Sequence, residues 1–160
     1  MKNKIILNIQ TASKVLTSFP PKHQYLKWIQ SSLKNTKNDN IKILIRLVEK
    51  SEIKFLNNKF RKKNNVTNIL SFSYINDKII KSNYIGDLIV CGEVIEREAI
   101  KKKISTESHW AHIIIHGILH LLGYTHSNIT NREKMESLET KIMQSLNYKN
   151  PYSNIKKLIY

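Results

Sequence analysis

Between Ser105 and Gly123 the chain carries a long apolar run broken mainly by histidine, and this run limits what the rest can be. Residues such as Trp110, Ile113, Ile114, Ile118 and Leu121 put apolar groups on most faces of one helix, so that helix must sit among other elements. Ser105 or Thr106 can cap its start, and Gly123 can end it through a left-handed residue. His109, His112, His116 and His120 recur at helical spacing and so share one stripe. Five of the six histidines lie between His109 and His126.

The elements able to surround such a helix are legible on both sides of it. Ile5 to Ile9 is a short apolar strand. Pro21 can open a helix that carries Tyr25, Trp28, Ile29 and Leu33 at helical spacing. Ile41, Ile43, Ile45 and Leu47 alternate with Lys42, Leu44 and Arg46, which predicts a strand with one well-buried face. A short helix follows from Ser51 through Phe55, Leu56 and Phe60, then a polar loop over 61–65 and a strand over 68–72. Asp77 to Asn83 reads as a turn or hairpin tip, and Gly86 to Cys91 as a fourth strand ended by Gly92. Glu93 to Lys103 is amphipathic, with Val94, Ile95, Ala99 and Ile100 expected inward. Thr130 with Glu133 predicts a capping box, and Met135, Leu138, Ile142 and Leu146 the stripe behind it. Strands interleaved with helices predict α/β or α+β layers in a single domain spanning 1–160.

Composition narrows the partners. The chain holds 27 Lys and Arg against 12 Asp and Glu, a net charge of +15. Lys, Ile and Asn are enriched together, as an AT-rich genome would produce without functional demand. A field of that size still attracts polyanions, and phosphate backbones are the commonest of these. No apolar run reaches the roughly 18 residues of a membrane span, and the first residues are too quickly polar for a secretory signal. The single cysteine, Cys91, can form no internal disulfide and reads as a small core residue, which fits a cytoplasmic protein with no disulfide-linked partner.

His116 and His120 are placed at i and i+4, so both rings project from one face, one turn apart. Gly123 then lets the chain swing His126 back toward them. Three neutral imidazoles with an open fourth position describe a catalytic zinc site. His112 and His120 are separated by about 12 Å along a straight helix, so one ion cannot bind both. The pair His112–His116 is possible, but only His116–His120 has a turn and a third His directly after it, so His112 is expected behind the ligands or against the substrate, and His109 as an ordinary surface or core histidine. Metzincin peptidases share this spacing but carry Glu directly after the first His as general base. Here that position is Gly117, and no carboxylate occurs from His109 to Asn131.

The run from Ser108 to Ile115 followed by His116 to His126 resembles the YbeY family of bacterial endoribonucleases, which mature ribosomal RNA. Leu56-Asn57-Asn58-Lys59-Phe60-Arg61 and Val66-Thr67-Asn68-Ile69-Leu70-Ser71-Phe72 look like that family's arginine loop and following strand. Gly86-Asp87-Leu88-Ile89-Val90-Cys91 is similar to its Gly-Asp strand, and Met135-Glu136-Ser137-Leu138-Glu139-Thr140 and Asn150-Pro151-Tyr152 fit its last helix and tail. The likeness covers roughly Leu56 to Tyr152. It implies a mixed four-stranded sheet with surrounding helices, one zinc ion on His116, His120 and His126, and catalytic roles for Arg61, His116 and Asp87. It further implies cleavage of single-stranded RNA, 16S rRNA 3′-end maturation, ribosome quality control and binding to the small ribosomal subunit. The sequence departs from the family pattern at Thr125, where Asp is usual before the last His, at Lys62 in place of Gly, and at Val66 in place of Pro.

Arg61 suits bidentate contact with a phosphate, and Lys59, Lys62 and Lys63 surround it. Together with His112 and Tyr124, which could stack on a base, these are the expected RNA contacts. Asp87 could hold Arg61 or a ligand imidazole, or satisfy turn amides. Lys101 to Lys103 are explained by the negative end of a helix. Two readings compete with the nuclease: a metallopeptidase-like hydrolase on the same ligands, and a non-catalytic ribosome assembly factor with a structural zinc.

Overall fold

The computed structural model describes residues 4–14, 19–34, 36, 40–77 and 83–153. Four strands form one mixed sheet: β1 (Lys4–Thr11), β2 (Asn40–Leu47), β3 (Ile69–Ser73) and β4 (Tyr84–Val90), in the order β1-β2-β4-β3. β1, β2 and β4 run parallel, and β3 pairs antiparallel with β4, Ser73 opposite Gly86. The turn or hairpin tip expected over Asp77 to Asn83 falls mostly on 78–82, outside the described residues. Five helices accompany the sheet: α1 (Lys22–Ser32), α2 (Lys50–Arg61), α3 (Gly92–Lys102), α4 (Thr106–Leu121) and α5 (Ile129–Ser145). None is long and apolar enough to cross a membrane.

The apolar run becomes the centre of the molecule. α4 packs against β3, β4, α1, α3 and α5, and ten of its sixteen residues are buried. β2 fills the sheet interior as its alternation demands, with Ile41, Ile43, Ile45 and Leu47 each at most 2% exposed. The main core joins these strand residues to Tyr25, Trp28 and Ile29 of α1 and to Trp110, Ile114 and Ile118 of α4. Gly117 has a packing reason: a Cβ there would stand 2.6 Å from Ile69 Cδ1 and 2.9 Å from Leu88 Cδ2. Its absence lets α4 lie close against β3 and β4. Cys91 is fully buried.

Two local expectations are corrected. Ile100 is 78% exposed rather than inward, because the buried face of α3 runs through Val94, Ile95 and Ala99 and leaves the next position outside. The capping box at Thr130 does not start α5. Asn128 does, accepting from Asn131 N at 2.8 Å, so Thr130 falls inside the first turn. The stripe behind it stands, with Met135 and Ile142 buried and Leu138 and Leu146 packed on the core.

Candidate metal centre and cleft

The end of α4 builds the centre. Gly123 takes φ +104°, a left-handed value suited to glycine, and completes a Schellman turn. In it Gly123 N donates to His120 O at 3.0 Å and Tyr124 N to Leu119 O at 3.0 Å. The chain reverses and brings His126 over the helical pair. His120 Nε2 then lies 3.0 Å from His116 Nε2 and 3.2 Å from His126 Nε2. One ligand atom from each of the three lies within 4.8 Å of the others. Imidazoles sharing a tetrahedral ion at about 2.0–2.1 Å stand about 3.3–3.4 Å apart, so the spacing suits a common metal ion.

The opposite ring nitrogens are held from behind. His120 Nδ1 donates to the carbonyl of Tyr124 at 2.9 Å. His116 Nδ1 donates to Oε1 of Glu139, a fully buried carboxylate on α5. The Tyr152 hydroxyl donates to Oε2 of the same carboxylate, and His112 Nε2 lies 3.5 Å from it and 3.2 Å from the Tyr152 oxygen. A carboxylate behind a ligand imidazole fixes its tautomer and ring plane and raises its basicity. Burial alone would push the Glu139 carboxyl up, but hydrogen bonds from His112 and His116 and their charge hold it down at about 2. His120 is lowered to about 4, first by burial and then by the charge of His116, so at neutral pH its ring is in the neutral form that a metal ion would require.

In front of the triad lies a cleft of about 570 Å³, bounded by the His triad on one side and the α2–β3 segment on the other. Arg61, at the end of α2, lines it. Its Nη2 donates to Ser71 O at 2.9 Å, and its guanidinium carbon sits 5.0 Å from the Phe72 ring centre. These contacts fix the guanidinium, and its other N–H groups have no hydrogen-bond partner among the described residues. Behind Arg61, the buried Asn57 donates through Nδ2 to the backbone and side-chain oxygens of Asn65, both at 3.0 Å. Lys63 and Tyr124 also line the cleft, whereas Asp and Glu are absent from its described lining.

The sequence model of the family described as "Endoribonuclease YbeY" matches residues 6–147. The chain belongs to the endoribonuclease YbeY family. Its relatives include the Endoribonuclease YbeY of Buchnera aphidicola subsp. Baizongia pistaciae, 68% identical over 95% of this chain and 99% of the relative. That of Wigglesworthia glossinidia brevipalpis is 48% identical over 94% of this chain and 99% of the relative. Among solved structures, TM1509 from Thermotoga maritima shares the fold, with TM-score 0.54 and 23% identity over 89% of this chain and 92% of that one.

Other positions singled out in the sequence are placed less centrally. Gly86 and Leu88 face α4, as the contacts of their neighbours show, so Asp87 between them points to the other side of the sheet. There it accepts from the Tyr74 hydroxyl at 3.5 Å, and burial raises its carboxyl. No described hydrogen bond joins it to Arg61 or to a histidine. Lys59 lies against Phe55 and Phe60, both exposed, and stands outside the cleft lining. Lys62 caps α2 with φ +60°, the conformation that the family's glycine would adopt without strain. Thr125 lines the cleft but bonds Ser127 at 3.2 Å rather than a ligand imidazole. Orientation of His116 and His120 falls to Glu139 and the Tyr124 carbonyl instead.

Glu139 and Asn57 are the contributors that sequence reasoning missed. Each left one signal, a polar residue on an apolar stripe: Glu139 four after Met135, and Asn57 four after Ile53.

Proposed function

We propose that this chain is a zinc-dependent endoribonuclease that cuts single-stranded RNA, acting in 16S rRNA 3′-end maturation and ribosome quality control at the small subunit in the cytoplasm. The observation that carries this reading is the placement of Arg61 and the three histidines on one cleft whose described lining holds no carboxylate. Three neutral imidazoles are a donor set of the kind that holds catalytic zinc. When bound, such an ion supplies a Lewis acid for a phosphoryl oxygen and activates water near neutral pH. The chain's own residues supply the rest. Arg61, fixed by Ser71 O and Phe72, offers its free N–H groups to the phosphate and stabilises charge growing at phosphorus. Glu139 and the Tyr124 carbonyl keep the His116 and His120 rings aimed at one point. Lys63 and the net charge of +15 draw the polyanion in. A metallopeptidase base after the first His is missing, and Gly117 is packed against Ile69 and Leu88 where no carboxylate would fit.

The test is cleavage of a labelled single-stranded RNA by zinc-loaded protein. Wild type should cut it, and His116→Ala and Arg61→Ala, verified as folded by circular dichroism, should not. Full activity in a rigorously purified Arg61→Ala protein would remove the role assigned to that residue.

A further inference from the structure

β3 is the edge strand of the described sheet, so one row of its backbone groups meets no neighbouring strand. The register says which groups these are. Cys91 N donates to Asn68 O at 2.9 Å and Tyr74 N to Ile85 O at 2.8 Å, so residues 68, 70, 72 and 74 turn their N–H and C=O toward β4. Ile69 and Ser71 therefore turn theirs outward, and both line the cleft beside the histidines. One outward group is already engaged: the Ser71 carbonyl accepts from Arg61.

This changes what the edge can bind. A free edge normally offers alternating donors and acceptors, which suits another peptide strand. Here the acceptor at Ser71 is covered by a cation. The row beside the triad presents the Ile69 N–H, the Ile69 carbonyl, the Ser71 N–H and then the guanidinium. A peptide strand would lose its rung at Ser71 and face an unmatched positive charge. A ribose-phosphate chain suits the row, because phosphate oxygens accept from N–H and guanidinium groups while a 2′-hydroxyl can donate to the one open carbonyl. The two N–H groups are about 6.7 Å apart along the strand, comparable with successive phosphates of an extended chain.

We propose that the outward edge of β3 is the docking rail for the RNA backbone, with the N–H groups of Ile69 and Ser71 holding phosphates, and that Arg61, by covering the Ser71 carbonyl, makes this edge unfit for a peptide. The proposal rests on the nuclease reading for its ligand. Its test removes the Ser71 N–H; a proline there also removes the Ser71 Oγ, which is buried toward Gly117 of α4 without a hydrogen-bond partner among the described residues. Proline is tolerated on an edge strand where the N–H faces away from the sheet, so Ser71→Pro deletes the donor and spares the ladder to β4. In zinc-loaded protein, the Kd for a fluorescent single-stranded RNA oligonucleotide should rise about tenfold, with zinc affinity and circular dichroism unchanged. An amide-to-ester exchange at Ser71, which removes the N–H without a ring, should give the same shift if the proline variant fails to fold. An unchanged Kd in a folded variant of either kind overturns the proposal. An extended Val-Thr repeat peptide should not displace the RNA from wild type, and displacement would overturn the exclusion of peptides. Cleavage is read in the same samples: a Kd shift without any cutting by wild type would defeat the nuclease reading and leave the rail standing.

Discussion

Exchanging Glu139 keeps the outline of the metal centre and removes what steadies it. Glu139 has no exposed surface, and both oxygens are engaged: Oε1 with His116 Nδ1, Oε2 with the Tyr152 hydroxyl. His112 Nε2 lies 3.5 Å from the second oxygen. Glu139→Gln keeps an acceptor for His116 but turns an amide N–H toward Tyr152 and removes the negative charge that raises imidazole basicity. Glu139→Ala removes the acceptor as well and frees the His116 ring to turn. Losing such support usually costs 10–100-fold in metal affinity, so about tenfold is expected for Gln and about a hundredfold for Ala. These correspond to about 1.4 and about 2.7 kcal/mol. The assay is zinc competition against a fluorescent chelator at pH 7, with urea unfolding of the metal-free proteins to separate lost affinity from lost fold. Zinc affinity within twofold of wild type in a folded Glu139→Ala protein would refute the orienting role.

Three further outcomes follow from particular contacts. Lys62 occupies a left-handed conformation that costs a residue with a side chain about 1 kcal/mol, so Lys62→Gly should raise unfolding stability by about that amount, read by urea titration. Burial pushes the Glu98 carboxyl up, yet bonds from His109 and Asn68 hold it below its ordinary 4.5. A lowered carboxyl stabilises the fold above its ordinary range and loses that contribution as pH falls through the lowered value. Wild type should therefore be more stable than Glu98→Gln at pH 6 and the two should converge in acid; a gap that stays constant with pH would contradict this. Gly117→Glu should gain no peptidase activity and should lower stability by about 3 kcal/mol, because its Cβ meets Ile69 and Leu88 and its carboxylate enters an apolar contact.

The triad was legible in the sequence because its information is local: an i, i+4 pair, a glycine able to reverse the chain, and a third histidine directly after. The strands were legible for the same reason, most clearly in β2, whose alternation is its burial pattern. What escaped was set by contacts between distant segments. Glu139 lies on a different helix from the residue it holds, and a glutamate within a helix reads as solvated until α5 is docked on α4. Asn57 escaped likewise, since its partner Asn65 lies across a loop whose shape spacing does not reveal. Asp87 shows the reverse case. The family likeness gave it a catalytic role, and strand alternation turns its side chain to the sheet face away from α4, where it meets Tyr74. Ile100 shows how little one position at the end of an amphipathic helix is constrained by periodicity, since α3 ends two residues later.

The central claim is that Arg61 and a metal on His116, His120 and His126 act together on one phosphodiester. The most direct measurement is single-turnover cleavage of a single-stranded RNA by wild type and Arg61→Ala, each metal-stripped and then titrated with zinc. Wild type should recover cutting in proportion to zinc bound, up to one ion per chain, while Arg61→Ala binds zinc equally well and cuts at least about a hundredfold more slowly. Cutting that persists after stripping, or equal rates in the two zinc-loaded proteins, would contradict the account.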